Sequence, residues 1–294
     1  MVRHLMFFLL MGVIVGDLSA QTEPPGSWPA FLTASRLENR FGKAPEPTLV
    51  TPTSEAARRH IADAIGSLPR FPDYLNSGCH DRAHAAFLLL PDSLRWYSMK
   101  IWVFAPERFT AGVTGVITLR DNSVRTTEAE ARWGYHVALA FKDSAGKLSV
   151  HDPALAPGRL ISREEWFALM NIPSMSFWTL VPGWVYNFHS TSGLDLADHG
   201  SRNGNLFNGG MFDYSGKSRD ERWIPRALAR DAVGEAVSRG NACSTLAGLR
   251  TNPGEMQKRL EENTLPADCS AQIELFEREL DRWTKMIGWW GLAN

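Results

Sequence analysis

The chain has 294 residues, of which 44% are hydrophobic, 21% charged and 11% aromatic, so it can bury a large core and lacks the composition of a disordered protein. Its 31 Lys and Arg nearly balance its 32 Asp and Glu, for a formal net charge of -1. This balance excludes nucleic-acid binding through bulk positive charge. With 3 Cys, 24 Gly and 17 Pro that follow no period, the sequence is not collagen-like, coiled-coil or disulfide-dense.

Residues 1–20 are typical of a targeting segment. Arg3 and His4 precede the apolar run Leu5–Gly16, and Ala20 ends a small-residue cleavage site. The run has about 12 residues, too few to span ~30 Å of hydrocarbon, and no later stretch reaches the ~18 apolar residues that a span needs. We expect a signal peptide cleaved after Ala20, a secreted or periplasmic protein, and no membrane span in the mature chain. An uncleaved anchor is the alternative.

Breakers and composition divide the remaining chain into three parts. Residues 21–48 are proline-rich with little pattern, which indicates a lead or short pro-segment. Residues 49–186 combine helix and strand patterns and form the predicted main domain. Residues 187–294 begin with a linker rich in Gly, Asn, Ser and Asp and continue as a helical region.

Apolar spacing predicts two helices at the start of the main domain. The first begins near Ser54, and its apolar residues recur on one face: Ala57, Ile61, Ile65 and Leu68. The second runs from Cys79 to Leu90, where Pro91 ends it. Its predicted buried stripe comprises Cys79, Ala83, Ala86, Phe87 and Leu90.

Strand patterns follow these helices, and further helix patterns occupy the C-terminal region. The predicted strands are Met99–Ala105, Val113–Leu119, Trp133–Phe141 and Leu148–Asp152. Helices followed by an antiparallel meander predict an α+β fold without alternating βαβ units. The predicted C-terminal helices are Ala227–Val237, Glu255–Glu262 and Ala271–Ile287. The last carries an apolar stripe that is more typical of a packing face than of a ligand site: Ile273, Phe276, Leu280 and Trp283.

Export would give the three cysteines different roles, because an oxidising compartment pairs thiols. Cys243 with Cys269 is the simplest pair, closing a loop of about 27 residues worth roughly 3 to 4 kcal/mol in the chain-entropy model. Cys79 is then the odd thiol. An inert buried cysteine is the alternative interpretation for it.

Three short segments hold residue types suited to nucleophilic catalysis. Cys79 begins a helix after the small-residue turn Ser77-Gly78, where unpaired N–H groups and the helix dipole favour a thiolate. His136 lies within an apolar strand, where a lone histidine is more often a packed core residue than a base. Asp152 ends the next strand, where an aspartate is usually a turn residue.

Strand register connects these residues. If the hairpin loop is the five residues Lys142–Gly146, His136 lies directly opposite Asp152. Opposed residues share a face, with Cβ atoms about 4.5 to 5.5 Å apart, so the carboxylate could orient the imidazole. A four-residue loop would instead set Asp152 opposite Val137 and separate the pair. If the helix of Cys79 packs across this face, the three residues form a Cys-His-Asp arrangement for acyl transfer.

These segments resemble the motifs of the secreted bacterial protein-glutaminases, in the same order along the chain. The matching residues are Cys79-x-x-Arg82-Ala83-His84, Trp133-x-Tyr135-His136-Val137-Ala138 and Asp152-Pro153-x-Leu155. The resemblance covers roughly residues 49–182. It implies a papain- or transglutaminase-like core, with a Cys-bearing helix packed on an antiparallel sheet that bears His and Asp. The implied reaction converts protein-bound glutamine to glutamate and ammonia through a Cys thioester.

By motif match, Cys79 would be the nucleophile, His136 the general base and acid, and Asp152 the orienting residue. Arg82, His84 and Trp133 match the motifs without an assigned catalytic role, and His84 is expected to point away from Cys79. The implied partners are proteins or peptides with accessible glutamine. No metal or organic cofactor is expected, and the oligomeric state stays open. Three features depart from the family: the lack of further cysteines in this domain, the C-terminal helical extension, and a lead segment that is short for an inhibitory pro-domain.

Other functions use the same residues. A cysteine peptidase would admit a backbone amide, and a transglutaminase would use an amine acceptor in place of water. A catalytically inactive secreted binding module would keep the core without activity. A zinc site from Cys79, His80 and His84 is a further alternative, although this spacing matches no common structural zinc pattern.

Overall fold

A computed structural model describes residues 55–95, 97–105, 114–120, 131–174, 176–183 and 223–287. The predicted signal peptide, the lead segment 21–48 and the linker that starts at residue 187 lie wholly or largely outside the described residues. The predicted strand Val113–Leu119 is too long, because only Ile117–Leu119 is a strand and residues 114–116 are not.

The described residues form a mixed α+β structure with antiparallel sheets followed by a helical C-terminal region. The elements of the first part of the chain are α1 (Glu55–Gly66), α2 (Cys79–Leu89), α3 (Asp92–Arg95), β1 (Ser98–Phe104), β2 (Ile117–Leu119), β3 (Arg132–Trp133), β4 (Tyr135–Lys142), β5 (Leu148–His151), β6 (Ile161–Ser162), α4 (Arg163–Ala168), β7 (Met170–Asn171) and β8 (Phe177–Pro182). The C-terminal elements are α5 (Ile224–Ser238), α6 (Ser244–Gly248), α7 (Pro253–Glu261), a 3-10 turn at Ala267–Cys269 and α8 (Ser270–Ile287). The α+β prediction is confirmed, and so are the predicted helices.

The strands do not form the single meander that the sequence predicts. The main sheet has the order β6-β5-β4-β1-β8, and the short strands β3, β2 and β7 form a second sheet. The predicted strand Trp133–Phe141 divides at Gly134, because Trp133 pairs within the second sheet and Tyr135 within the main one. The Gly134 carbonyl accepts a hydrogen bond from the Ala105 amide at this crossing. Because glycine has no side chain to pack, the backbone can pass from one sheet to the other at this residue.

The register between β4 and β5 also differs from the prediction. Lys142 pairs with Leu148 and Leu139 with His151, so the turn starts at Asp143 and not at Lys142. The Asp143 side chain holds this later turn, accepting hydrogen bonds from two amides within it. Direct opposition of His136 and Asp152 is therefore wrong. Continued by one residue, the register sets Asp152 opposite Ala138, which shares the face of His136 because side chains alternate with period two.

Helix α2 is buried on almost every side. It ends at Leu89, and Leu90 is extended ahead of Pro91 as the proline requires. The predicted stripe is too narrow, because every residue from Asp81 to Leu88 is buried. Strand β4 packs on one side of the helix, and the C-terminal helices α5 and α8 contact it as well.

The C-terminal helices share a hydrophobic core with the first part of the chain. Ile224, Leu228 and Trp283 belong to the cluster that includes Ile61 of α1 and Leu139 of β4. Phe276 and Trp283 are buried, which confirms that this part of the predicted stripe is a packing face, while Ile273 and Leu280 are partly exposed.

A disulfide joins Cys243 to Cys269, as predicted, and Cys79 is a free thiol. The disulfide lies in a separate hydrophobic cluster between α5, α6, α7 and α8. Among the described helices, none combines the length and apolar character that a membrane crossing requires.

Candidate active site

The imidazole of His136 and the carboxylate of Asp152 meet on one face of the main sheet. His136 lies near the start of β4, and Asp152 directly follows β5. The Nε2 of His136 donates a hydrogen bond of 2.7 Å to Oδ2 of Asp152, and each residue is 1% exposed. The shifted register makes them diagonal neighbours, and a diagonal pair on one face is within reach of long side chains.

Four hydrogen bonds hold the Asp152 carboxylate in one orientation. Oδ1 accepts from the backbone amides of Ala154 and Leu155, at 2.9 and 3.0 Å. Oδ2 accepts from His136 and from the indole N–H of Trp166, the latter at 2.7 Å. Burial alone would raise the pKa of Asp152, but the imidazolium and these donors hold it well below its usual range. The carboxylate is therefore ionised at neutral pH.

Two tryptophans enclose the His136 ring. The ring of Trp133 stacks on it at a centroid distance of 4.3 Å, and that of Trp166 lies at 5.6 Å. The indole N–H of Trp133 donates a hydrogen bond of 2.6 Å to the carbonyl of Leu75, which fixes this ring in turn. His136 therefore has little freedom to rotate away from Asp152.

The second nitrogen of His136 is available for the thiol. Nδ1 is buried and has no hydrogen-bond partner within the described part of the chain, while Nε2 is occupied by Asp152. Burial lowers the pKa of His136, but the Asp152 carboxylate and the Cys79 thiol raise it to about 9. The imidazole is thus protonated at neutral pH, with Nδ1 left to exchange a proton.

Cys79 is the first residue of α2 and is half-buried. Gly78 before it has a φ of 75°, in the left-handed region that glycine adopts without strain, and no side chain caps the helix. Burial would raise the pKa of the thiol, but the imidazoles of His136 and His80 lower it to about 6. A helix N-terminus further favours an anion. The pair is a thiolate and an imidazolium near neutral pH.

Sequence reasoning assigned no role in catalysis to His80, which lies beside the thiol. Its Nδ1 is 3.1 Å from the hydroxyl of Tyr135, and its Nε2 is 3.6 Å from Oδ2 of Asp81. Burial lowers the pKa of His80, but the negative charges of Asp81 and Cys79 raise it above its ordinary value. Adjacency to Cys79 in sequence was the only available signal, and adjacency on a helix does not by itself bring side chains together.

His84 contacts Lys100 and Phe87. Its Nδ1 accepts a hydrogen bond from the ammonium of Lys100, and its ring packs on Phe87. Burial and the positive charge of Lys100 hold the pKa of His84 well below its usual range. Cys79, His80 and His84 do not converge on one point among the described residues, so the zinc alternative has no geometric support there.

Two side chains important to the site's geometry carry no signal in the sequence. Trp166 lies on α4, 14 residues after Asp152, and reaches its carboxylate. Asp231 lies on α5 and pairs with Arg82 across 149 residues, with Arg82 Nη1 2.7 Å from its Oδ2. Periodicity and motif spacing report on neighbours along an element, not on contacts of this range.

The segment that holds this cluster matches a known family. The family model described as Glutaminase matches residues 62–170, between a third and a half of the chain. This range contains Cys79, His136 and Asp152. The match confirms the resemblance of this segment to the protein-glutaminases and is typical of an amidohydrolase. Comparisons with curated proteins and with solved structures gave no significant match.

Proposed function

We propose that the chain is a secreted thiol amidohydrolase that deamidates glutamine side chains of proteins. The observation that carries this proposal is the grouping of Cys79, His136 and Asp152 within the segment matched by a glutaminase family. The match gives the reaction class, and the cluster supplies a nucleophile, a proton carrier and an orienting carboxylate. A Cys-bearing helix against an antiparallel sheet that bears His and Asp is consistent with a papain- or transglutaminase-like core.

In the first half-reaction, the thiolate of Cys79 attacks the carbonyl carbon of the glutamine side-chain amide. The resulting tetrahedral intermediate collapses when Nδ1 of the His136 imidazolium gives its proton to the amide nitrogen, which leaves as ammonia. The products are a thioester on Cys79 and a neutral imidazole. Asp152 holds the tautomer and orientation of His136 and stabilises its charged form throughout.

In the second half-reaction, neutral His136 takes a proton from water, and the hydroxide attacks the thioester carbonyl. The carbon–sulfur bond then breaks, releasing glutamate and restoring the thiolate and imidazolium. Water is the only co-reactant. The low thiol pKa also makes the thiolate a good leaving group in this step.

The substrate and the location belong to the same proposal. A half-buried thiol at a helix N-terminus is accessible to a side chain that projects from a protein surface. The signal-like segment 1–20 and the disulfide between Cys243 and Cys269 support a secreted or periplasmic protein, because disulfides persist in oxidising compartments.

Mass spectrometry of a glutamine-containing peptide and of an unfolded protein, each incubated with the wild type and with Cys79→Ala, tests the proposal. We expect a gain of about 1 mass unit per modified glutamine, with ammonia release, in the wild type alone. Backbone cleavage would replace the proposal with a cysteine peptidase. A loss of about 17 units with cross-linked products would indicate a transglutaminase. No change with either substrate would overturn the proposal in favour of an inactive binding module.

A further inference from the structure

A buried carboxylate from outside the family match reaches the nucleophile's helix. Asp231 lies on α5, beyond residues 62–170, and is 0% exposed. Its Oδ2 accepts a hydrogen bond of 2.7 Å from Nη1 of Arg82, which is itself 2% exposed. Arg82 lies on the first turn of α2, three residues after Cys79. A bond between two fully buried charges fixes both groups, because neither can exchange its partner for water.

The same carboxylate contacts the turn that leads into Cys79. A Cβ atom built on Gly78 would lie 1.9 Å from Oδ2 of Asp231 and 3.1 Å from Nη1 of Arg82. Only a residue without a side chain therefore fits over this ion pair. The left-handed φ of Gly78 sets the direction in which the chain enters α2. Asp231 thus underlies both the turn before the thiol and the helix after it.

Arg230 extends the contact toward the second imidazole at the thiol. Its Nε and Nη2 donate hydrogen bonds of 3.0 and 2.7 Å to Oδ1 of Asp231. Its Nη2 also lies 3.9 Å from Oδ2 of Asp81, which is next to His80. Two guanidinium groups and two carboxylates thus form one buried, charge-balanced network at the base of the site.

We propose that Asp231 is a positioning residue for Cys79, holding Arg82 and the Gly78 turn so that the thiol stands against His136. The C-terminal helical region thereby completes a site whose reacting groups all lie in the glutaminase segment. A buried ion network is weak evidence for stability but confers a unique geometry where one is needed. The inference rests on the proposed function for its activity readout only.

Loss of the charge of Asp231 and loss of its position should shift the ionisation of the Cys79 thiol in opposite directions. Removing a negative charge near Cys79 while the geometry stays the same would favour the thiolate. Losing the position would separate the thiol from the imidazoles that stabilise its anion, and so disfavour the thiolate. The direction in which thiol ionisation moves therefore distinguishes a positioning residue from a distant charge.

The test compares Asp231→Asn with Glu235→Gln in the full chain. Asn keeps the volume of Asp231 and removes its charge. Glu235 is one turn further along α5, is buried, and pairs with Arg70 and the amide of Asp73, so it is a matched control outside the network. The readouts are the pH dependence of Cys79 alkylation by iodoacetamide, kcat and KM for a glutamine peptide, and the far-UV circular dichroism spectrum.

We expect Asp231→Asn to move the alkylation midpoint upward from about 6 by at least one pH unit. We expect kcat to fall about 10- to 100-fold, since a misplacement of ~1 Å can cost about 10²-fold, with KM within threefold. Glu235→Gln should leave the midpoint and kcat unchanged. An unchanged or lowered midpoint in a folded Asp231→Asn protein would overturn the proposal.

If Asp231→Asn does not fold, Arg82→Lys decides, because lysine keeps the charge but loses the planar fork that bonds Asp231. An upward midpoint shift in this variant supports the proposal. A wild-type midpoint, or failure of both variants to fold, overturns it in favour of a stability role. Should the wild type alkylate with a low midpoint but deamidate nothing, the proposed function fails while the alkylation comparison still decides the role of Asp231.

Discussion

Trp166 couples the orienting carboxylate to the core. Its indole N–H donates to Asp152, and its ring flanks His136. A tryptophan usually needs a partner for its N–H when it is buried, and a carboxylate is the strongest partner a neutral donor can have. The residue therefore contributes both to folding and to the electrostatics of the site.

Trp166→Phe keeps an aromatic ring beside His136 and removes the donor to Asp152. We expect the free energy of unfolding to fall by roughly 1 to 3 kcal/mol, the range for a lost hydrogen bond to a buried charge, and kcat to fall about tenfold. Trp178→Phe is the control, because the buried N–H of Trp178 has no hydrogen-bond partner among the described residues. Urea denaturation and steady-state kinetics measure both effects; equal losses of kcat in the two variants would contradict the assignment.

The titration of the thiol and imidazole predicts a bell-shaped pH profile of kcat/KM. Activity rises through about pH 6 as Cys79 ionises, and falls through about pH 9 as His136 loses the proton that the leaving ammonia needs. The two apparent values belong to the coupled pair. A single ascending limb near pH 8.5, the range of an ordinary thiol, would contradict this ion pair.

Alkylation of the thiol separates the contributions of the two imidazoles. His136→Gln should raise the alkylation midpoint of Cys79, because the thiolate loses the imidazolium that does most to lower the pKa of the thiol. His80→Gln should raise it less, since His80 contributes less to stabilising the thiolate. The measurement is the iodoacetamide rate as a function of pH, and a larger shift for His80→Gln would reverse this ranking.

At the scale of elements, the site depends on which face each strand presents and on how α2 begins. The hairpin between β4 and β5 turns one residue later than the sequence predicts, yet His136 and Asp152 still share a face. The later turn moves the residue opposite Asp152 by two positions, from His136 to Ala138, and so preserves the face. A move by one position would have separated the pair. The sequence could predict that these residues lie on adjacent strands. The register itself depends on the hydrogen bonds that the Asp143 side chain accepts within the turn, which the sequence pattern does not predict.

The start of α2 yields a stability prediction. Gly78→Ala should cost more than Gly158→Ala, although both glycines have a left-handed φ, of 75° and 66°. The left-handed conformation alone costs about 1 to 2 kcal/mol for a residue with a Cβ. At Gly158 nothing lies within 4 Å of that Cβ, whereas at Gly78 it would collide with Asp231. Urea denaturation measures both losses, and equal values would mean that Asp231 moves aside freely.

At the scale of the whole molecule, the C-terminal helices share the core that supports α2. Their existence and approximate bounds could be predicted, because apolar periodicity and breakers are local signals. Their packing against the first part of the chain could not, since it depends on contacts such as that of Phe71, between α1 and α2, with Trp283, whose rings stack at 5.2 Å. The buried pair Arg82 and Asp231 likewise has no local signature, because a charged residue in a helix is usually on its solvent face.

The disulfide between Cys243 and Cys269 should stabilise this region. Cys243→Ser with Cys269→Ser should lower the free energy of unfolding by roughly 3 to 4 kcal/mol, the value for a loop of about 27 residues in the chain-entropy model. Chemical denaturation of the wild type under oxidising and reducing conditions and of the double variant measures this. If neither reduction nor the double substitution lowers the free energy of unfolding, the disulfide constrains the unfolded chain little.

The proposed reaction is hydrolysis of the side-chain amide of glutamine in proteins, with Cys79 as the nucleophile. The most direct single measurement is mass spectrometry of one glutamine-containing protein treated with the wild type and with Cys79→Ala in ¹⁸O-labelled water. Hydrolysis of a thioester by water predicts a gain of about 3 mass units at each modified glutamine, from loss of the amide and entry of one ¹⁸O, in the wild type only. The same gain with Cys79→Ala, or no gain with the wild type, would contradict the account.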